Sequence, residues 1–165
     1  MMNEDGLTRV FIHGLESSGG GTKGVFFKER YPGMIIRDYR GSLEERMGAL
    51  RSLLAGKKGL VLVGSSYGGL MAALYACANP QAIHKLILLA PALALDEFRE
   101  QCRGPLDFPV VVYHGSNDDV VLIEPVRKIA ADRFRNLEYN VIDDDHSLRS
   151  RFKLLDWDRL LCYED

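Results

Sequence analysis

Ser66 stands at the centre of Gly64-Ser65-Ser66-Tyr67-Gly68, a G-x-S-x-G stretch that directly follows the apolar run Leu60-Val61-Leu62-Val63. Bulky residues resume at once with Leu70 and Met71. A strand that runs into a helix through so few residues must reverse sharply. The central residue then takes a strained backbone conformation, and glycines two positions to either side remove the clashes. Such a turn holds the Ser66 hydroxyl out over the sheet edge. It also sets the Tyr67 amide at a helix N-terminus, where a developing oxyanion is favoured. Ser65 is the competing hydroxyl, but it occupies the variable position of the pattern. The alternative reading of the motif is a tight turn that merely needs small residues.

A serine hydroxyl is a poor nucleophile until a base takes its proton. The chain has four histidines. His84 lies at the start of a strand-like run, at the wrong edge for chemistry. His13 and His114 each precede a glycine at a strand end and read as turn-forming residues. His146, in Asp143-Asp144-Asp145-His146-Ser147-Leu148, is the best candidate base. An acid partner would fix its tautomer and stabilise the imidazolium. Asp118, in His114-Gly115-Ser116-Asn117-Asp118-Asp119, is favoured, with Asp119 as the alternative. Asp143, Asp144 and Asp145 are too near His146 in sequence for that task and read as solvated charges. With no cysteine–histidine spacing suited to zinc, they are not expected to hold a metal either.

The elements that must position these groups alternate along the chain. Strand-like runs are Thr8–Ile12, Met34–Arg37, Leu60–Val63, Lys85–Ala90, Pro109–Tyr113 and Leu137–Ile142. Leu60–Val63 has no polar alternation, as expected where both faces of a strand are covered. Ser42-Leu43-Glu44-Glu45 fits a capping box at the head of a helix whose stripe is Leu43, Met47, Leu50, Leu53 and Leu54. Further helices are expected over Val25–Tyr31, Ser66–Asn79, Glu124–Phe134 and Leu148–Tyr163. The stretch Pro91–Phe108 reads as irregular or briefly helical. Strands separated by helices imply a mostly parallel six-stranded sheet with helices on both faces, an α/β/α sandwich. In such sheets chemistry sits at the carboxyl ends of the strands. His13-Gly14, Ser65-Ser66, Asn117-Asp118 and His146 all follow strands and should gather on one edge.

Bulk properties bound the function. With 165 residues, 47% hydrophobic and 27% charged, a single domain over 1–165 is expected. A net charge of −2 argues against a nucleic-acid partner. The three cysteines, Cys77, Cys102 and Cys162, form no C-x-x-C and read as buried or free thiols of a cytoplasmic protein. The acidic start is unlike a secretory signal, and no apolar run suits a membrane span. Gly19-Gly20-Gly21-Thr22-Lys23-Gly24 satisfies G-x-G-x-x-G, and Asp38 has the placement of a ribose-binding acid. However, the glycines begin six residues beyond Ile12 rather than directly after the strand. Lys23 is followed by glycine, which also rules out a Walker loop. Nucleotide binding is the weaker alternative.

Over nearly its whole length the sequence resembles the α/β-hydrolase family. The order Ser66, Asp118, His146 is that family's order, and His114-Gly115-Ser116-Asn117-Asp118 resembles its H-G-x-x-D segment. His13-Gly14 resembles the family's oxyanion segment, which implies the Leu15 amide as the partner of the Tyr67 amide. By the same placement His13, Gly14, Glu16 and Ser17 are substrate-binding candidates, and Tyr39 and Arg40 are further wall candidates. The family's first two strands have no counterpart here. The stretch between Ala90 and Val110 is too short for a cap domain, so the likeness is to a small, lidless esterase. The resemblance implies a serine hydrolase acting on small-molecule carboxylic esters or thioesters through an acyl-enzyme. No cofactor, metal, nucleic acid or membrane is implied. A shallow, open site for small acyl groups is expected. The competing reading is a non-catalytic interaction protein that kept the fold.

Overall fold

The computed structural model describes residues 5–163. The first four residues, part of the acidic start considered above, lie outside the described residues. Six strands form one sheet: β1 Thr8–Ile12, β2 Ile35–Ile36, β3 Leu60–Ser65, β4 Ile83–Leu89, β5 Val110–Gly115 and β6 Leu137–Ile142. Their order is β2-β1-β3-β4-β5-β6, and every neighbouring pair is parallel. Between them run α1 Thr22–Arg30, α2 Leu43–Leu54, α3 Tyr67–Ala78, α4 Asp96–Gln101 and α5 Ile123–Arg133, and α6 Trp157–Leu160 follows β6.

The period-two alternation of the strands divides the core into two layers. Val10, Ile12, Leu60, Leu62, Leu86, Leu88, Val110 and Val112 pack against α2, α3, α4 and α5. Phe11, Val61, Val63, Ile87, Leu89 and Val111 point the other way, onto α1, α6 and the segment leading into α6. Both faces are covered, which is why β3 reads as an unbroken apolar run. On the α3 side the helix can sit close because its inner positions are small. A Cβ on Gly69 would lie 2.8 Å from Pro91 Cβ. The capping box heads α2 as expected: Ser42 Oγ accepts from the Glu45 amide, and the Glu45 carboxylate accepts from the Ser42 amide.

Three expectations need correction. The helix expected over 148–163 is instead a 3₁₀ turn, Phe152–Leu154, followed by the four residues of α6. Leu155 is extended (φ −66°, ψ 148°), and Asp156 accepts from the Arg159 amide as a new cap. Leu148, Phe152, Trp157, Leu160 and Leu161 are buried and Leu155 is half-buried, so this segment has an apolar face on a backbone other than the expected helix. Second, Cys77 and Cys102 are joined in a disulfide, and Cys162 alone is free. The bridge ties the end of α3 to the residue after α4. Third, Asp144 is buried rather than solvated, for reasons given below. Between β4 and β5 the one helix is the six-residue α4, and no cap domain is inserted there.

Candidate functional site

The strand order changes direction between β1 and β3, which leave the sheet centre on opposite sides. Ligand crevices form at such switch points, beyond the carboxyl ends of the strands. The loops after β1, β3, β5 and β6 meet there.

Ser66 is placed by the turn between β3 and α3. Its backbone sits at φ 54° and ψ −113°, a sparsely populated region for a residue with a side chain. The surroundings leave it no other choice. Its amide donates to Leu89 O of β4 (2.8 Å), and its carbonyl accepts from the amides of Gly69 (3.0 Å), Leu70 (3.2 Å) and Ala92 (3.0 Å). A Cβ on Gly64 would lie 2.7 Å from Gly69 Cα, and one on Gly68 would overlap the carbonyls of Ile12 and His13. The two flanking glycines are therefore required by contact with two different neighbours, the helix and the end of β1.

Asp118 lies in the turn after β5. Its Oδ1 accepts from the amides of Val120 (2.9 Å) and Val121 (2.8 Å), an Asx turn that fixes the carboxylate. Its Oδ2 accepts from His146 Nδ1 at 2.7 Å. Asp119 is exposed and takes no part. His146 Nε2 is 3.0 Å from Ser66 Oγ. With Nδ1 donating to a carboxylate, Nε2 is the unprotonated nitrogen and accepts a hydrogen bond from the Ser66 hydroxyl. The Asp118 side chain is fully buried, whereas that of His146 is 20% exposed. Burial works to raise the Asp118 pKa. The hydrogen bond from His146 and the amides of Val121 and Val120 outweigh it and hold the carboxyl below 3.8.

The loop carrying His146 is built on Asp144. Its carboxylate accepts from the amides of Asp145 (2.8 Å), Ser150 (3.0 Å) and Arg151 (2.7 Å). The amide of Asn117 donates to Asp144 O (3.0 Å), joining this loop to the one bearing Asp118. A Cβ on Gly115 would overlap the carbonyls of Asp144 and Asp145, so the glycine of His114-Gly115 permits that approach. Asp143 accepts from Asn117 Nδ2 (3.2 Å) on the surface.

The amides of Leu15 and Tyr67 find no acceptor among the described residues, and both residues line the cavity over Ser66. Gly14 brings the loop after β1 close: a Cβ there would lie 3.6 Å from Ser66 Cβ. Glu16 and Ser17 also line the cavity. His13 does not. Its Nδ1 donates to Gly14 O (2.7 Å), and its Nε2 accepts from the Tyr39 amide (2.9 Å), so it braces the turn instead of facing a substrate. Tyr39 is buried behind it, and neither Tyr39 nor Arg40 reaches the cavity. Asp38 accepts from the Gly19 amide (2.6 Å), so this carboxylate is committed to the glycine-rich loop rather than free for a ribose. The cavity holds about 710 Å³ and reaches inward to buried Phe11, Leu148 and Phe152. The broken C-terminal segment and α1 wall one side of it. Sequence reasoning missed Lys23, Leu148 and Phe152 as wall residues. The only signal for Lys23 was its place in a glycine-rich loop.

Among the described residues no group of His, Cys, Asp and Glu is arranged to hold a metal, and no helix is long and apolar enough to cross a membrane.

Residues 16–103, more than half of the chain, match the family model described as alpha/beta hydrolase fold. No match is found among the curated proteins. Among solved structures the chain is similar to mouse alpha/beta hydrolase domain-containing protein 10, with 21% identity and a TM-score of 0.76, covering 94% of this chain and 87% of that one. It is similar to Est1E from Butyrivibrio proteoclasticus, with 18% identity and a TM-score of 0.76 over 95% and 86% of the two chains. A monoacylglycerol lipase from Paleococcus ferrophilus gives 17% identity and a TM-score of 0.69 over 96% and 97%. At these identities the likeness is one of fold.

Proposed function

Starting from a chain that belongs to the alpha/beta hydrolase fold family, we propose that it is a serine hydrolase cleaving small-molecule carboxylic esters or thioesters. The observation that carries this reading is one continuous chain of contacts, Ser66 Oγ to His146 Nε2 at 3.0 Å and His146 Nδ1 to Asp118 at 2.7 Å. Hydrogen-bond distances of this size already suit proton transfer.

In the proposed reaction Ser66 Oγ attacks the substrate carbonyl while its proton passes to His146 Nε2. Asp118 keeps the imidazole oriented and stabilises the imidazolium without taking the proton. The carbonyl oxygen becomes an oxyanion and accepts from the free amides of Leu15 and Tyr67. His146 then gives its proton to the departing alcohol or thiol, leaving an acyl group on Ser66. Water, deprotonated by the same nitrogen, attacks the acyl carbonyl, and the acid leaves with Ser66 re-protonated. Each amide donor in such a hole is worth about 10²–10³ in rate. No step calls for a metal or an organic cofactor.

A fluorophosphonate probe tests the reading. The unaltered protein should be labelled on Ser66 and should hydrolyse p-nitrophenyl acetate, and Ser66→Ala should do neither. Equal labelling of the two proteins, or none of the unaltered one, would remove Ser66 from the reaction. An inert protein with this geometry would be the non-catalytic alternative.

A further inference from the structure

The cavity over Ser66 contains a cation that the proposed reaction does not use. Lys23 lies on the first turn of α1, half-buried, with its Nζ 5.4 Å from the centre of the Phe152 ring. The Nζ donates to Ser147 O at 2.6 Å. An ammonium has three N–H groups. Among the described residues the other two have no acceptor, and no carboxylate lies within ion-pair distance. A half-buried ammonium with one backbone partner therefore keeps two N–H groups for a ligand in the cavity. Burial accordingly pulls the Lys23 pKa down, against the opposing charges of Asp145 and Asp144.

The rest of the cavity has the same sign. Among the described residues Arg149 and Lys153 also line it, and Glu16 is the one carboxylate side chain that does. Arg149 is partly occupied, its Nε 3.7 Å from Asp145. Lys23 is also close to the chemistry, since the carbonyl it holds belongs to the residue after His146.

We infer that the substrate carries an anionic group, a carboxylate or a phosphate, in addition to its scissile ester or thioester, and that Lys23 receives it. This rests on the reading of the same cavity as the catalytic site. An ammonium is a compact charge with freely rotating donors, so it accepts either anion. The apolar patch formed by Phe11, Leu148 and Phe152 packs the carbon chain between the two polar ends. The open end of the cavity, with Arg149 and Lys153 beside it, draws anions in.

Binding to Ser66→Ala, followed by NMR titration, separates recognition from turnover. Two matched pairs serve as probes: monomethyl glutarate against dimethyl glutarate, and 1-acetylglycerol 3-phosphate against 1-acetylglycerol. In at least one pair the anionic member should bind about tenfold more tightly, and that pair identifies the anion. The preference should shrink to within about twofold in Ser66→Ala/Lys23→Met, survive Lys23→Arg, and weaken as salt is raised. Because Lys23 also holds Ser147 O, Ser66→Ala/Lys23→Gln, which removes the charge but keeps a donor, serves as the second variant if Lys23→Met misfolds, and it too should lose the preference. Equal affinities within both pairs, no measurable binding of either anion, or a preference untouched by Lys23→Met overturns the inference. A protein labelled by fluorophosphonate but without charge preference loses this inference alone. One with the preference but no labelling loses only the nucleophile.

Discussion

Tyr139 on β6 donates its hydroxyl to His114 Nδ1 across 2.7 Å, and this bond determines which nitrogen of His114 carries the proton. His114 Nε2 faces Val121 O at 2.8 Å and Asp118 Oδ2 at 3.2 Å, both acceptors, so it must be the N–H. The ring is fully buried. Burial also holds the Tyr139 phenol above its ordinary pKa, so it stays protonated and donating. His114 therefore supports Asp118 from behind, while His146 contacts it from the cavity. Tyr139→Phe should leave a buried acceptor unpaired and reduce stability by about 1–3 kcal/mol. Nitrogen-15 shifts of the unaltered protein should place the His114 proton on Nε2. A proton on Nδ1, or an unchanged unfolding midpoint in Tyr139→Phe, would contradict this arrangement.

Gly68 is enclosed by backbone and not by movable side chains. A methyl group there overlaps the carbonyls of Ile12 and His13, neither of which can move without distorting β1. Gly68→Ala should cost about 3 kcal/mol or more in urea unfolding. Because the turn carrying Ser66 would shift, the proposed hydrolysis of p-nitrophenyl acetate should also fall by about 10²-fold in whatever fraction still folds. Gly48→Ala is the control. A Cβ at Gly48 meets nothing within 4 Å, and the exchange in a helix should be neutral or slightly stabilising.

Acid should unfold the protein in part through two buried carboxylates, Asp118 and Asp144. For Asp144, as for Asp118, burial would raise the pKa. The amides of Asp145, Arg151 and Ser150 outweigh it, and the carboxyl ends below 3.8. A carboxyl depressed in the folded state adds stability that is fully present above its unfolded pKa. That stability is lost as pH falls through the folded value. Urea midpoints should therefore hold steady down to about pH 4 and drop steeply below it. Asp144→Asn should be less stable at neutral pH and should show a shallower acid slope. An acid slope identical to that of the unaltered protein would mean that Asp144 is not a source of it.

The disulfide between Cys77 and Cys102 closes a separation of 25 residues. Constraint of the unfolded chain by a loop of this length is worth about 3 kcal/mol. Dithiothreitol, or Cys102→Ser, should lower the unfolding midpoint accordingly. Thiol titration of the native protein without reductant should find Cys162 alone. Three reactive thiols in the native state would disprove the bridge and restore the free thiols expected from sequence. A bridge that persists in the isolated protein would argue against the cytoplasmic placement expected from sequence, since disulfides last in oxidising surroundings.

Much of the fold was legible because it is encoded locally. The unbroken apolar run of β3, the small residues after it and the capping box of α2 each act within a few residues. Their strand, turn and helix emerged as read. The C-terminal segment did not, because Phe152, Leu155, Leu160 and Leu161 satisfy a helical spacing. Phe152, Leu160 and Leu161 are buried, and Leu155 half-buried, by two short pieces broken at Leu155. Packing on the sheet overrode the local preference. The relations missed at the site are of the same long-range kind. His13 and His114 were read as turn residues, and both do brace their turns, but nothing local announces Tyr39 or Tyr139 as their partners. Asp144 looked like one charge in a row of three until the amides of Ser150 and Arg151 closed on it.

From residue types and spacing alone came a strained serine turn, a histidine and an aspartate after later strands, and one sheet edge for all three to share. Those follow from steric rules that act along the chain and from the alternation of strand and helix. Only the folded molecule decided that Asp118 rather than Asp119 meets His146, that His13 faces away from the cavity, and that Lys23 faces into it. Each of those depends on the positions of two segments joined through the sheet, and side-chain distances across such a junction are set by packing, not by proximity in sequence.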